Sequence, residues 1–379
     1  MPPEKFAARI ARWFAALVLI GAGLGTSLSA SAADGQFYGL MRERDLTAFG
    51  FMRLDMRPAH AVSTEPGSWA VETDMAFQNT WALSPEVEKY LTSLEATGRR
   101  ELGPEEVQAI RDLPGENYLV DLEAAVYDAT VHYKLARDWS AYMVISAVSF
   151  SGGFMDDTIE KFHESFGFST FGRPALARNR VNTVFDLKGT SYVSLDDGSS
   201  GGLLDPVFGL RYSSPQRMRG WNFSLEGAAK VPVAGQRDFL STGRLDVGVQ
   251  MSAQHRGARQ AFYVNAAAVW YGGGQAPSPQ EAQVVPTLVV GYELRLTERT
   301  NINLQGYMSP SLYTKEETDL RELRANKYQA TLGLRHRVDN HVWTIGITEN
   351  LQNINNTPDI GFQVGFAWVP KIARPARAY

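Results

Sequence analysis

His163 and Ser165 stand two apart in the stretch S-G-G-F-M-D-D-T-I-E-K-F-H-E-S-F-G-F, residues 151–168. An imidazole beside a hydroxyl is the pairing on which nucleophilic catalysis depends. On a helix, however, residues two apart point to different sides, so a histidine that hydrogen-bonds within a loop helix is the competing reading. A second group is electrostatic. The acids Glu72, Asp74, Asp121, Glu123 and Asp128 fall early in the chain, and the bases Lys327, Arg335 and Arg337 fall late. If all eight faced one enclosed space, opposite signs would line different arcs of it and orient dipolar solutes. Acids at Asp196-Asp197, Asp205 and Glu316-Glu317 are candidate calcium ligands, but the twelve-residue calcium-loop pattern is missing. Gly272-Gly273-Gly274 is followed by no Lys-Ser or Lys-Thr, so it is no phosphate cradle. The chain has no cysteine, which excludes thiolate metal sites and disulfides. The expectation is therefore no cofactor, no metal and no assigned catalytic residue.

The elements that must position these groups are strands. Residues 360–369, I-G-F-Q-V-G-F-A-W-V, put Ile360, Phe362, Val364, Phe366 and Trp368 on one face and Gly361, Gln363, Gly365 and Ala367 on the other. Such strict alternation fits either a sandwich core or a strand with one face in lipid and the other in a polar lumen. Similar segments recur at 69–83, 117–135, 140–150, 204–213, 221–231, 242–254, 260–271, 283–296, 299–309, 326–338 and 341–351, which with the last makes twelve. Within 117–135 the apolar positions change parity at Val126-Tyr127, which predicts a bulge. The connections alternate between short (136–139, 214–220, 255–259, 297–298, 339–340) and long (84–115, 151–202, 232–241, 272–282, 310–325, 352–359). A soluble sandwich has no reason to alternate them, whereas outer-membrane barrels do. The fold expected is all-β: a transmembrane antiparallel β-barrel of about twelve strands, with long extracellular loops and short periplasmic turns. Residues 184–195 are the strongest candidate for an extra hairpin arm.

The ends carry their own signals. Lys5, Arg9 and Arg12 precede an apolar run of twelve and then Ala30-Ser31-Ala32, which reads as a signal peptide over residues 1–32. Its removal takes the formal charge from −4 to −6. No basic run interleaved with aromatics appears, so no nucleic-acid partner is expected. Residues 33–65, with one alternating piece from Phe49 to Met56, read as a periplasmic lead-in or a plug segment. The barrel is expected over 66–370 and a periplasmic basic tail over 371–379. Within the 84–115 loop, 86–95 and 104–112 are helix-like. In the 151–202 loop, Met155, Ile159, Phe162 and Phe166 recur at spacings of four, three and four. That predicts a short amphipathic helix over 156–166, with Asp156, Ile159, Glu160, Phe162, His163 and Phe166 as its candidate functional residues.

The text Gly-Gly-Phe-x-Asp-x-x-Ile-Glu-x-Phe-His-x-x-Phe-Gly from Gly152 to Gly167 resembles an uncharacterised family of Gram-negative outer-membrane proteins, carried as a domain of unknown function. The resemblance is strongest over 150–173. Asp157 stands where the family pattern has a glycine. The resemblance implies the cell outer membrane as location, and outer-membrane lipid, lipopolysaccharide and the barrel-insertion machinery as partners, but no chemistry. Outer-membrane phospholipases also place a His and a Ser two apart on a twelve-stranded barrel, yet Phe166-Gly167 replaces the Asn-Gly of that family. The reading reached is a narrow porin-like channel for small polar solutes, constricted by the 156–166 helix folded inward. A lipid-acting hydrolase and a structural or adhesive barrel are the alternatives.

Overall fold

The computed structural model describes residues 37–42, 50–58, 66–188, 190–195, 200–214, 221–234, 240–274, 281–352 and 360–368. The expected signal peptide, the basic tail and Asp196-Asp197 lie outside the described residues. Twelve strands close into one antiparallel ring: β1 (Trp69–Leu83), β2 (Asn117–Lys134), β3 (Trp139–Ser151), β7 (Val207–Ser213), β8 (Trp221–Lys230), β9 (Asp246–Arg256), β10 (Gln260–Tyr271), β11 (Gln283–Arg295), β12 (Thr300–Ser309), β13 (Lys327–Val338), β14 (His341–Gln352) and β15 (Ile360–Trp368). Pairing of β1 with β15, from Val71↔Trp368 to Asn79↔Ile360, closes the ring. A closed ring leaves no sheet edge to satisfy, which a strand in lipid requires.

Three further strands lie outside the ring. The 184–195 piece is a hairpin, β4 (Asn182–Leu187) and β5 (Thr190–Leu195), and it does not span. β4 takes over the edge of β2 at Asn117–Asp121, beyond the point where β3 leaves it. β6 (Ser200–Leu203) does the same for β3. The barrel is therefore taller on the β1–β2–β3 side at its loop end.

The outward face is apolar around the ring, with Ile145, Leu210, Leu225, Val249, Met251, Val284, Leu332, Ile345 and Val364 all exposed. At the turn end a band of rings runs around it: Trp69 against Tyr133, Trp139 against Tyr212, Trp221 against His255, Phe262 against Tyr292 and Trp343 against Phe366. An apolar belt with an aromatic girdle is the outer surface a lipid-embedded barrel needs.

The expected bulge in the second strand is absent. β2 pairs with β1 without interruption from Trp69↔Tyr133 to Leu83↔Leu119. What changes at Val126-Tyr127 is the surroundings. Below it, Tyr127, Ala129, Val131 and Tyr133 face outward. Above it, Tyr118, Val120, Leu122, Ala124 and Val126 face inward and join a buried apolar cluster with Met52, Val148, Phe150, Phe185, Leu204 and Leu323. Alternation reports which face is apolar, and the apolar face changes sides where lipid gives way to a covered loop end. Helices α1 (Pro85–Leu94) and α2 (Pro104–Arg111) cover the outward side there, where Trp81, Leu83 and Leu119 pack with Val87, Leu91, Val107 and Ile110.

Candidate functional site

Strand register directs Glu72, Asp74, Asp128, Glu226, Asp246, Glu293 and Arg335 into the lumen. Buried charge needs a partner. Much of what they meet is the chain's own N-terminal segment, which runs through the lumen in two passes.

The first pass, residues 37–42, lies against β10 to β15. Arg335 donates from Nη1 to the carbonyls of Tyr38 (2.7 Å) and Gly39 (2.8 Å), and from Nη2 to that of Leu40 (2.7 Å). The Glu293 carboxylate accepts the backbone N–H groups of Tyr38 (2.9 Å) and Gly39 (3.0 Å) and the hydroxyl of Tyr263 (2.6 Å). Gln305 accepts the Met41 N–H at 2.8 Å, and Asn303 donates to the Gly39 carbonyl at 2.8 Å. The wall thus supplies donors and acceptors as a strand neighbour would, and it engages the backbone of Tyr38, Gly39, Leu40 and Met41 without the segment joining the sheet.

The second pass, residues 50–58, starts at the loop end and runs towards mid-barrel. Lys230 donates to the Met52 carbonyl (2.8 Å) and Asp246 accepts the Leu54 N–H (2.8 Å). Gln250 on β9 donates to the Arg57 carbonyl (3.2 Å), while the Arg57 guanidinium crosses to Asp128 (2.8 Å) and Asp74 (3.4 Å) on β2 and β1. One residue therefore reaches both walls. Arg42 pairs with Glu72 at 3.3 Å. A cavity of about 30 Å³ remains between this pass and β3, β7 and β8, lined by Arg42, Arg53, Arg57, Tyr142, Glu226 and Lys230 among others.

Apolar contacts hold the same path. Phe37 and Leu40 pack on Tyr263, Val289 and Tyr307, while Leu54 and Met56 pack on Tyr142, Val144, Ala228 and Val269. Inward glycines make the space. A Cβ at Gly291 would stand 2.1 Å from Leu40, one at Gly333 1.9 Å from Met41, and one at Gly248 2.8 Å from Met56. Glycine at these inward positions is visible in the sequence, but the segment residue each one faces is set only by the closed ring.

The predicted site residues divide. Glu72, Asp74, Asp128 and Arg335 face the lumen and engage the segment. Lys327 faces inward at the loop end, buried opposite Ser309. Arg337 sits at the turn end, where its Nε donates to the Asp339 carbonyl. Asp121 and Glu123 are a correction: both face outward, away from the lumen, because the parity that puts Asp128 inside puts them outside. They are buried there by the 152–182 loop.

The 156–166 helix, α3 (Asp156–Phe166), forms over the expected residues, but its expected inward fold is also corrected. It docks on the outward face of β1 and β2. Glu123 accepts the N–H groups of Phe154 (3.1 Å) and Met155 (2.7 Å), and Asp156 accepts from Asn79 (3.1 Å), Arg173 (2.7 Å) and the Asn179 N–H (2.8 Å). Glu160 is buried and receives Arg99 and Arg178. Ile159 is buried, whereas Phe162 and Phe166 are exposed. Gly153 takes φ +68° with no room for a Cβ beside the Glu123 carboxylate, and Gly152 lies against the Asn179 carbonyl. The motif thus pins the loop to the outer wall. His163 Nδ1 bonds the Ser169 carbonyl (2.8 Å) and Ser165 donates to the Lys161 carbonyl (2.7 Å), so each is engaged with backbone.

At the loop end the mouth is covered. Glu116 accepts the Lys188 N–H (2.7 Å), the Thr318 hydroxyl (2.7 Å) and the Asp319 N–H (2.6 Å), and Lys188 pairs with Asp319 at 2.7 Å. This ties the β12–β13 loop to the β4–β5 hairpin. Leu320 and Leu323 of that loop pack into the apolar cluster beneath. Asp205, a candidate calcium ligand, instead accepts the Val233 and Ala234 N–H groups (2.8 and 2.9 Å) and the Ser241 hydroxyl (2.6 Å). Among the described residues, no cluster of His, Asp and Glu has metal-site geometry.

Comparison with known proteins follows the same lines. A family model described as a protein of unknown function (DUF3187) matches residues 114–368. No curated protein matches the chain. Among solved structures, the COG4313 outer membrane channel from Pseudomonas putida F1 aligns with a TM-score of 0.52 at 10% identity, over 83% of this chain and 99% of that one. The P. putida toluene transporter TodX aligns with a TM-score of 0.36 at 8% identity, over 80% and 91%. The first of these likenesses shows a shared fold.

Proposed function

Because this chain belongs to the DUF3187 family, whose description assigns no activity, its role has to be argued from its own lumen, and we propose a narrow outer-membrane channel for small polar solutes, closed by its N-terminal segment. The protein reaches the outer membrane of a Gram-negative cell through a signal peptide over residues 1–32, and its insertion draws on the barrel-insertion machinery. The apolar belt and the twelve-strand closure support the location. The observation that carries the function is that the lumen is filled by a segment held through its backbone and two arginines rather than by wall side chains alone. Twelve strands enclose little space, so one short segment suffices to close it.

The wall left behind is polar. With residues 37–58 gone, Glu72, Asp74, Asp128 and Glu293 lose guanidinium or N–H partners, while among the wall's bases Arg335 loses three carbonyls and Lys230 loses that of Met52. Glu226 keeps Arg211 (2.6 Å) and Asp246 keeps Lys230 (3.0 Å). The open bore is net acidic and favours cations. Planar-bilayer recordings test this. The full chain is expected to conduct weakly and the variant lacking 37–58 strongly, with cation preference. Equal conductance in the two, with the variant still a heat-modifiable barrel on gels, would remove the gating role of the segment.

A further inference from the structure

Four phenylalanines around α3 are more exposed than a loop in water explains: Phe154 at 72%, Phe162 at 52%, Phe166 at 66% and Phe168 at 39%. Three of them form one cluster, with Phe162 4.7 Å from Phe166 and 6.2 Å from Phe168 between ring centroids. Contiguous exposed apolar surface of this kind marks a contact with something apolar.

The position of the patch says with what. Phe154 stacks on Phe77 at 5.4 Å, and Phe77 is the cross-strand partner of Phe362 on the outward face. Phe362 and Val364 are exposed members of the apolar belt. Phe154 therefore continues the lipid-facing surface at its loop-end edge, two residues before α3 begins. At 3.6 residues per turn, Phe162 and Phe166 share one flank of α3, and Asp157 and Glu164 share the other. The buried stripe of Asp156, Ile159 and Glu160 lies against the barrel and its packed loop. The helix thus lies along the wall with rings on one side and acids on the other. Of the four acids on α3 three are matched, Asp157 with Lys161 (2.5 Å) and Arg178 (2.7 Å), Glu160 with Arg99 and Arg178, and Asp156 with Arg173, while Glu164 is exposed. Neutralised in this way, the helix meets little repulsion from anionic headgroups.

We propose that α3 with Phe154 and Phe168 is an interfacial anchor that lies in the outer leaflet beside the barrel, its rings among the acyl chains and its acidic flank towards water. The proposal rests on the membrane-barrel reading above. It gives the Gly-Gly-Phe motif a purpose: the turn at Gly152-Gly153 and the clamp on Glu123 set the helix at the height of the leaflet.

The absence of native cysteine makes the test direct. Single variants Phe162→Cys, Phe166→Cys and Ser165→Cys, the last leaving every ring in place, are spin-labelled and refolded into dimyristoylphosphatidylcholine vesicles. Collision with oxygen is compared with collision with a water-soluble nickel chelate. Val249→Cys on the belt is the lipid reference, and Glu298→Cys in a short turn is the water reference. Labels at 162 and 166 are expected to follow Val249→Cys, label 165 to lie between the references, and Glu164→Cys on the opposite flank to follow Glu298→Cys. Nickel access at 162, 165 and 166 equal to that at Glu298→Cys, with Val249→Cys still oxygen-dominated, would overturn the proposal and leave the patch for a protein partner. Nickel access at Val249→Cys as well would overturn the membrane barrel itself.

Discussion

Arg57 shows how much a single side chain does here. Its guanidinium joins two acids on neighbouring strands, Asp74 and Asp128, while its carbonyl is held from the far wall. Removing one partner of a buried pair costs about 3 kcal/mol or more, because the other charge stays buried without compensation. Arg57→Ala is expected to free the second pass, raising amide hydrogen exchange over residues 50–58, with the Leu54 N–H as the marker. Arg57→Lys keeps the charge but loses the fork that reaches two carboxylates, so an intermediate effect is expected. Unchanged exchange in Arg57→Ala would assign the hold to Leu54 and Met56 packing alone.

Among the elements, the 151–202 connection carries the most information. Its turn depends on Gly153, because a left-handed conformation costs a residue with a Cβ about 1–2 kcal/mol, and a Cβ there would also meet the Glu123 carboxylate at 1.8 Å. Gly153→Ala is expected to loosen the loop and leave the ring of strands intact, since no ring strand passes through Gly153. Limited proteolysis reads this as new cleavage within residues 151–181, with the heat-modifiable barrel band retained. Cleavage confined to other loops would show that Asp156 and Arg173 suffice to hold the loop.

For the molecule as a whole, the loop-end cover responds to acid. Lys188 holds the Asp319 carboxyl below its ordinary value, with Arg324 and Lys315 adding to the effect. A carboxylate with a depressed folded value contributes fully above its ordinary value of 3.8 and loses that contribution as pH falls through the folded one. Asp319 is solvent-exposed, so the effect is small and weakened by salt. The expected outcome is weaker protection over residues 310–325, exchange being normalised to the intrinsic amide rate at each pH, as pH drops below about 4, with Lys188→Ala already weakly protected at neutral pH and its protection insensitive to that change. A pH-independent cover in the unmodified chain would place its closure in Glu116 and the leucines.

The sequence by itself determined the strands, their number and the side of the ring at which connections are short. Alternation is a local property, and pairing of neighbours in chain order then closes the ring with no further choice. It also determined α3, because a 3.6-residue apolar period is equally local. What it left open was which face of a strand looks inward once lipid is no longer the neighbour. Asp121 and Glu123 share a strand with Asp128, yet they face the other way, and only the helices and loop packed over the loop end reveal it. The same holds for α3, whose amphipathicity fits the mouth as well as the outer wall until the contacts with Phe77, Asn79 and Glu123 place it outside. The occupied lumen is the third case. Residues 37–42 and 50–58 carry mixed apolar and charged side chains, and their path is decided by groups up to 297 residues away in the chain, as in the bond from Arg335 to the Tyr38 carbonyl. Contacts of that separation exist only once the ring has closed, so tertiary structure alone decides them.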